Sequence, residues 1–165
     1  RFDYKLRIGP VEYLNLEHWR WMPYAELHAQ DIPLERMRRQ LLELQLILER
    51  NGHKARLLHY PLFEANLFGF WNAPYVDFPI LLQCLPHPKP SEITYHVIFD
   101  IRDNVYRWLR CTPFDDLQFY FNESYTSAFD PDRFFMQLMV IDTVLAREET
   151  AEAMAETIME NWRYL

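Results

Sequence analysis

The chain has 165 residues, of which half are hydrophobic and 16% aromatic, and its formal net charge is −7. This length and composition predict one globular domain, residues 1–165, with a core of its own. No apolar run approaches the roughly 18 residues of a membrane-spanning helix, and the acidic balance opposes binding to nucleic acid phosphates.

The N-terminal region is aromatic and its elements are the hardest to assign. Alternating side chains in residues 2–8 predict a first strand that ends at Gly9 and Pro10. Residues 11–30 fit either a second strand followed by a loop or a short helix interrupted at Pro23.

The clearest helix is predicted at about 33–51. Asp31 is the expected N-cap, and Asn51 with Gly52 supplies a left-handed stop. The apolar side chains recur at steps of three and four residues, at Leu34, Met37, Leu41, Leu44 and Leu48. Three more apolar residues widen this face, at Leu42, Leu46 and Ile47. Because the face is wider than one contact requires, we expect the helix to pack on two sides.

Short extended segments separated by prolines predict an antiparallel sheet of about five to six strands. The candidate strands are residues 53–60, 67–71, 78–85, 95–101, 105–111 and 117–121. Apolar residues at helical spacing then predict one or two C-terminal helices at about 131–163, with a break near 147–150. These elements indicate an α+β fold in which the helices pack on the sheet.

Residues 95–111 are predicted to form the central hairpin of the sheet. Asp103 and Asn104 tolerate positive φ and are assigned to a two-residue turn. That register makes one face aromatic and pairs His96 with Cys111 on the other. A thiol beside an imidazole can act as a nucleophile, so these two residues are the catalytic candidates. No oxyanion donor accompanies them, and packing within the sheet is the favoured interpretation.

The sequence lacks the motifs of several other chemistries. The three glycines are isolated, which excludes phosphate-binding loops, and the common zinc, calcium and hydrolase motifs are absent. His53 and His59 would lie about 20 Å apart on a strand, too far to share a metal ion. Asp115, Asp116 and Glu123 are interpreted as a turn cap and a solvated carboxylate. These absences favour a protein that has no metal, no cofactor and no enzymatic activity.

Two cysteines are too few for a disulfide framework, which favours a reducing compartment. The first twenty residues lack the apolar core of a signal peptide. The chain begins at Arg1, so the native N-terminus is expected to lie outside it. We expect a cytoplasmic protein without membrane insertion.

The sequence favours a non-catalytic protein–protein interaction or assembly protein, of the acidic adaptor, chaperone, immunity or complex-subunit type. Residues 83–165 hold fourteen acidic and seven basic side chains, which favours a basic partner, and self-association is the other expectation. Arginine outnumbers lysine fourteen to three, a bias that is typical of interfaces, although genome composition is the favoured explanation. The candidate partner-binding residues are Trp19, Trp21, Arg36, Arg39, Glu149, Glu152 and Glu156.

Two alternatives remain open. A curved antiparallel sheet with a helical end permits an aromatic pocket for a small apolar ligand. A cysteine-dependent enzyme that uses Cys111 and His96 is the second alternative.

Overall fold

The computed structural model describes residues 9–15, 18–28, 32–63, 78–85, 93–114, 124 and 127–162. The strands predicted at 2–8, 67–71 and 117–121, and the cap predicted at Asp31, lie outside these residues. The chain divides into two compact units, residues 1–36 and residues 37–165. The single domain proposed for the whole chain stays a prediction.

The first unit contains a short antiparallel hairpin. Its strands are β1 (Glu12–Asn15) and β2 (Arg20–Pro23), which pair from Glu12 opposite Pro23 to Asn15 opposite Arg20. A 3₁₀ turn, Tyr24–Glu26, follows directly, and the Tyr24 amide donates a hydrogen bond of 2.8 Å to the Val11 carbonyl. The ambiguous segment 11–30 therefore begins as a hairpin.

Helix α1 (Pro33–Arg50) agrees with the prediction. Its buried stripe consists of Met37, Leu41, Leu44 and Leu48. At its C-terminal end the Gly52 amide bonds to the Glu49 carbonyl and the His53 amide to the Leu48 carbonyl, both at 3.0 Å. Gly52 has φ +82°. These are the two bonds of a Schellman motif, which satisfies the last carbonyl groups of the helix.

The second unit is built on a five-stranded antiparallel sheet in which each strand pairs with its neighbours in sequence. The strands are β3 (Lys54–His59), β4 (Ile80–Leu85), β5 (Thr94–Asp100), β6 (Val105–Phe114) and β7 (Leu138–Glu148). A second helix, α2 (Ala151–Asn161), follows β7. The predicted α+β class and the antiparallel sheet are confirmed.

The sheet is buried on both faces. On one face, apolar side chains of α1 and α2 join those of the strands in a single cluster around Trp108, Tyr106 and Phe99. On the other face, Tyr60, Phe135 and other residues outside the strands cover a second cluster. All seven residues of the central strand β5 are consequently buried, as expected for a strand with packing on both sides.

Tyr106 joins the sheet to α1 by a polar contact. Its hydroxyl oxygen lies 2.7 Å from Gln40 Oε1 and 3.0 Å from the Gln40 carbonyl oxygen. Burial raises the pKa of Tyr106, and the nearby Glu43 and Glu152 carboxylates raise it further. The hydroxyl therefore stays protonated and available as a donor to the helix.

The central hairpin has the predicted faces, but its predicted register is wrong by two residues. Phe99 pairs with Tyr106 and Asp100 with Val105, so residues 101–104 form the turn. A two-residue turn of the preferred type needs positive φ at both positions. Here Asn104 adopts a positive φ of +59°, whereas the φ of Asp103 is not positive.

The Asp100 carboxylate organises this turn. It accepts hydrogen bonds from the backbone N, Nε and Nη2 of Arg102, at 3.1, 2.9 and 2.8 Å. Arg107 Nη2 lies 3.2 Å from the same carboxylate and also pairs with Asp103. A local side-chain acceptor of this kind stabilises a turn that lacks glycine.

The prediction of a helix in the first part of 131–163 is wrong. Most of that part forms strand β7 instead. The strand contains several β-branched residues, which favour a pleated conformation: Val140, Ile141, Thr143 and Val144. The pairing of β7 with β6 shifts register twice, and Asp142 and Leu145 are the residues of β7 that have no partner in it. Each β-bulge inserts one residue and interrupts the alternation of period two. The apolar residues therefore recur at steps of three and four, which resembles helical spacing.

Helix α2 confirms the last part of the C-terminal prediction. Thr150 is its N-cap, with extended backbone angles, and its side-chain oxygen accepts a hydrogen bond of 3.2 Å from the Ala153 amide. This contact satisfies one of the free amide groups of the first turn. Within the described residues, no helix is long and apolar enough to cross a membrane.

Candidate functional site

Trp19 and Trp21 lie in the tryptophan hairpin, defined here as residues 12–23, and both are largely exposed. The exposed fractions of the two residues are 74% and 65%. Trp21 pairs with Leu14 across the hairpin, so these two side chains share a face. An indole combines a large apolar surface with one hydrogen-bond donor and is common at interface centres. The hairpin thus presents two large anchor residues to solvent.

The backbone at Trp19 adopts an unfavourable conformation. Its φ is +49°, in the left-handed region that bulky residues rarely occupy. The Asn15 side chain accepts a hydrogen bond of 3.0 Å from the His18 amide in the same connection. A left-handed residue with a Cβ atom costs roughly 1–2 kcal/mol. Stability of the turn alone would therefore favour glycine at position 19.

The charged partner-binding candidates lie on the helices or directly before one. Arg39 is exposed on α1, whereas Arg36 is half-buried. Glu149 precedes α2, and Glu152 and Glu156 lie one turn apart on it; all three are exposed. Residues four apart are neighbours on a helix surface. The structure therefore brings Glu152 and Glu156 together on the acidic face of α2.

The predicted direct pairing of His96 with Cys111 is wrong. His96 pairs with Leu109, and Cys111 pairs with Thr94. Because the register differs by two residues, both side chains stay on the predicted face of the sheet. Both are buried, and the His96 ring packs edge-on against Phe135 with centroids 4.9 Å apart.

The thiol environments oppose nucleophilic chemistry. Burial raises the pKa of Cys84 to about 12. Burial also raises the pKa of Cys111 well above its ordinary value, and the negative charge of Asp142 adds to this effect. A reactive cysteine needs the opposite shift, because the thiolate is the nucleophile. Cys84 lies in one core cluster and Cys111 in the other, and both act as apolar packing groups.

One cleft contains polar residues that the sequence did not single out. It has a volume of about 340 Å³ and lies between strands β3 and β4 and the segment 129–137. Arg56 on β3 pairs with Gln83 on β4, and Gln83 pairs with His96 on β5. Since cross-strand partners share a face, a guanidinium, an amide and an imidazole form a row across three strands. These residues are far apart in sequence, so only the strand register could reveal the row.

The Arg56 guanidinium is held at the edge of this cleft by two partners. Nη2 donates to Gln83 Oε1 at 3.1 Å, and Nη1 donates to Asp132 Oδ1 at 3.0 Å. Its Nε is buried and has no hydrogen-bond partner among the described residues. A second, open cleft of about 500 Å³ lies at the C-terminal end of α1, beside Glu49 and Lys54.

No family model, curated protein or solved structure matches this chain. The described residues contain no group of three or more His, Cys, Asp or Glu side chains that could hold a metal ion. The acidic residues Asp115, Asp116 and Glu123 lie outside the described part of the chain. The surfaces with functional potential are therefore the tryptophan hairpin, the acidic face of α2 and the cleft beside Arg56.

Proposed function

We propose that this protein is a non-catalytic interaction or assembly protein that binds another protein through its tryptophan hairpin. The observation that carries the proposal is the exposure of Trp19 and Trp21, at 74% and 65%, on one short hairpin. Interface hot spots are enriched in tryptophan, because one indole buries a large apolar area on binding. Two exposed indoles on one hairpin could supply the centre of such an interface.

The conformation of Trp19 supports a role in binding rather than in folding. Its positive φ makes this bulky residue a cost to the folded hairpin. Its side chain is mostly exposed, so little burial within the chain offsets that cost. Strained residues of this kind are concentrated at ligand-binding and active sites. Contact with a partner would give Trp19 the burial that the hairpin does not provide.

The charge distribution supports a basic partner. Residues 83–165 carry all of the excess negative charge, and Glu152 and Glu156 project from the exposed face of α2. Exposed charges of this kind mainly increase the association rate and lose their effect as salt is added. We therefore assign selection of a basic partner to the acidic face and most of the affinity to the tryptophans.

Affinity purification with four matched baits tests the proposal. The baits are the wild-type chain, Trp19→Gly, Trp21→Ser and the control Leu46→Ser, which changes an exposed leucine on α1. A specific partner should be recovered with wild-type and control baits, and its affinity should fall about 30-fold for Trp21→Ser. Trp19→Gly should weaken binding while leaving thermal stability unchanged or higher, because glycine removes the strain at this φ.

Two outcomes would contradict the proposal. One is recovery of the same proteins in the same amounts with all four baits. The other is a strictly monomeric wild-type chain in analytical ultracentrifugation that also captures no partner. If the partner is a second copy of the chain, ultracentrifugation should instead show a dimer that Trp21→Ser dissociates.

A further inference from the structure

The cleft beside Arg56 has the construction of a small-molecule site. Its volume of about 340 Å³ falls within the range of roughly 300–1,000 Å³ that is typical of ligand pockets. Apolar walls come from Leu58, Phe134 and Met136, and polar groups come from Arg56 and Gln83. An apolar cavity with a few fixed polar groups is the usual form of a site for small organic molecules.

The position of the guanidinium is fixed by the sheet beneath it. Arg56 is paired with Gln83 in the ladder, and the buried Gln83 side chain accepts a hydrogen bond from Nη2. His96, the next residue in the row, packs against Phe135, which also lines the cleft. A cationic group held on a strand by a buried partner presents its remaining donors in one orientation.

The Asp132 carboxylate accepts a hydrogen bond from Arg56 Nη1, a donor that a ligand could use instead. Its ion pair with Arg56 is 3.0 Å long, but the Asp132 side chain is 83% exposed. Exposed ion pairs contribute little net stability, so another carboxylate can replace this one at small cost. Once Asp132 is displaced, Nη1 of Arg56 would donate to the replacing carboxylate. A hydrogen bond between a guanidinium and a carboxylate is roughly twice as strong as a bond between neutral groups.

We propose that this cleft binds a small organic molecule with an apolar, aromatic body and one carboxylate. The body packs against the phenylalanine and methionine walls, and the carboxylate displaces Asp132 from Arg56. This proposal and the proposed function rest on different residues, so the result of either test leaves the other proposal unaffected.

Ligand-observed NMR titration with 4-phenylbutyrate and its neutral amide tests the proposal. The acid should bind the wild-type chain, and the amide about tenfold more weakly, because it lacks the charge that Arg56 recognises. Arg56→Gln should reduce affinity for the acid by about tenfold and leave that for the amide unchanged. Asp132→Asn should increase affinity for the acid, because it removes the competing carboxylate. Lys54→Gln is the matched control on the same strand and should have no effect.

Three results would overturn the proposal. They are no binding of either compound at millimolar concentration, equal affinity for the acid and the amide, and binding of the acid that neither Arg56→Gln nor Asp132→Asn changes. If Arg56→Gln does not fold, the wild-type comparison of the two compounds and the Asp132→Asn variant still decide the question.

Discussion

Replacing Asp100 by asparagine should destabilise the protein by about 2–3 kcal/mol at pH 7. The carboxylate is 2% exposed and accepts three hydrogen bonds from Arg102, while Arg107 lies 3.2 Å away. Hydrogen bonds to charged groups contribute about 1.5–3 kcal/mol each. The Arg102 side chain is 47% exposed, so solvent reduces its share. Asparagine keeps the size of the side chain but removes the charge and one acceptor.

The effect of this substitution should depend on pH. Burial alone would raise the pKa of Asp100, but the hydrogen bonds from Arg102 and the charges of Arg102 and Arg107 lower it overall below its ordinary value. A carboxyl whose pKa is lower in the folded state stabilises that state above its ordinary pKa. The contribution disappears as the pH falls through the folded value. The difference between wild type and Asp100→Asn should therefore narrow below pH 4.

Thermal unfolding and urea denaturation, at pH 7 and at several values below pH 4, measure both effects. At pH 7 the melting temperature should fall by about 4–12 °C. Asp103→Asn is the matched control, because Asp103 is 42% exposed and pairs with Arg107 and Arg147; it should cost less than about 1 kcal/mol. A loss for Asp100→Asn that is below 1 kcal/mol, or that is independent of pH, would refute the assigned role of this carboxylate.

Three further predictions concern the core, the thiols and a helix cap. Leu44→Ala should cost about 2–5 kcal/mol in urea denaturation, whereas Leu46→Ala on the exposed side of the same helix should change stability by less than about 0.5 kcal/mol. Cys84 and Cys111 should resist a thiol reagent at pH 8 until the chain is unfolded; rapid labelling of the folded protein would contradict their assignment as core residues. Thr150→Ala should cost about 0.5–2 kcal/mol by thermal unfolding, and Thr150→Ser should restore most of it.

Helix α1 could be predicted from the sequence because the information for it is local. The apolar stripe, the spacing of its members and the glycine stop all lie within the segment itself, and the helix ends at Arg50, just before Gly52. The central hairpin was only half predictable. Its faces depend on the alternation of side chains, which is local, whereas its register depends on the number of turn residues. The contacts between Asp100 and Arg102 help to set that number.

Strand β7 could not be recognised from the sequence, because the order of its apolar and polar side chains depends on how it pairs with β6. The two bulges opposite β6 break the alternation, and the β-branched residues were the remaining evidence for a strand.

The candidate sites also combine features that are local in the sequence with features that only the structure shows. Trp19 and Trp21 could be named as candidates from residue type, but the positive φ at Trp19 required the structure. The row of Arg56, Gln83 and His96 exists only through strand pairing.

Site-specific photocrosslinking tests the central claim, that the tryptophan hairpin is the partner-binding surface, most directly. A photoreactive phenylalanine derivative would replace Trp21 in one sample and Leu46, an exposed residue of α1, in a matched sample. Irradiation in cells that express the protein should give a discrete crosslinked species from position 21 and none from position 46. The absence of a crosslinked product at position 21, or the same products from both positions, would contradict the claim.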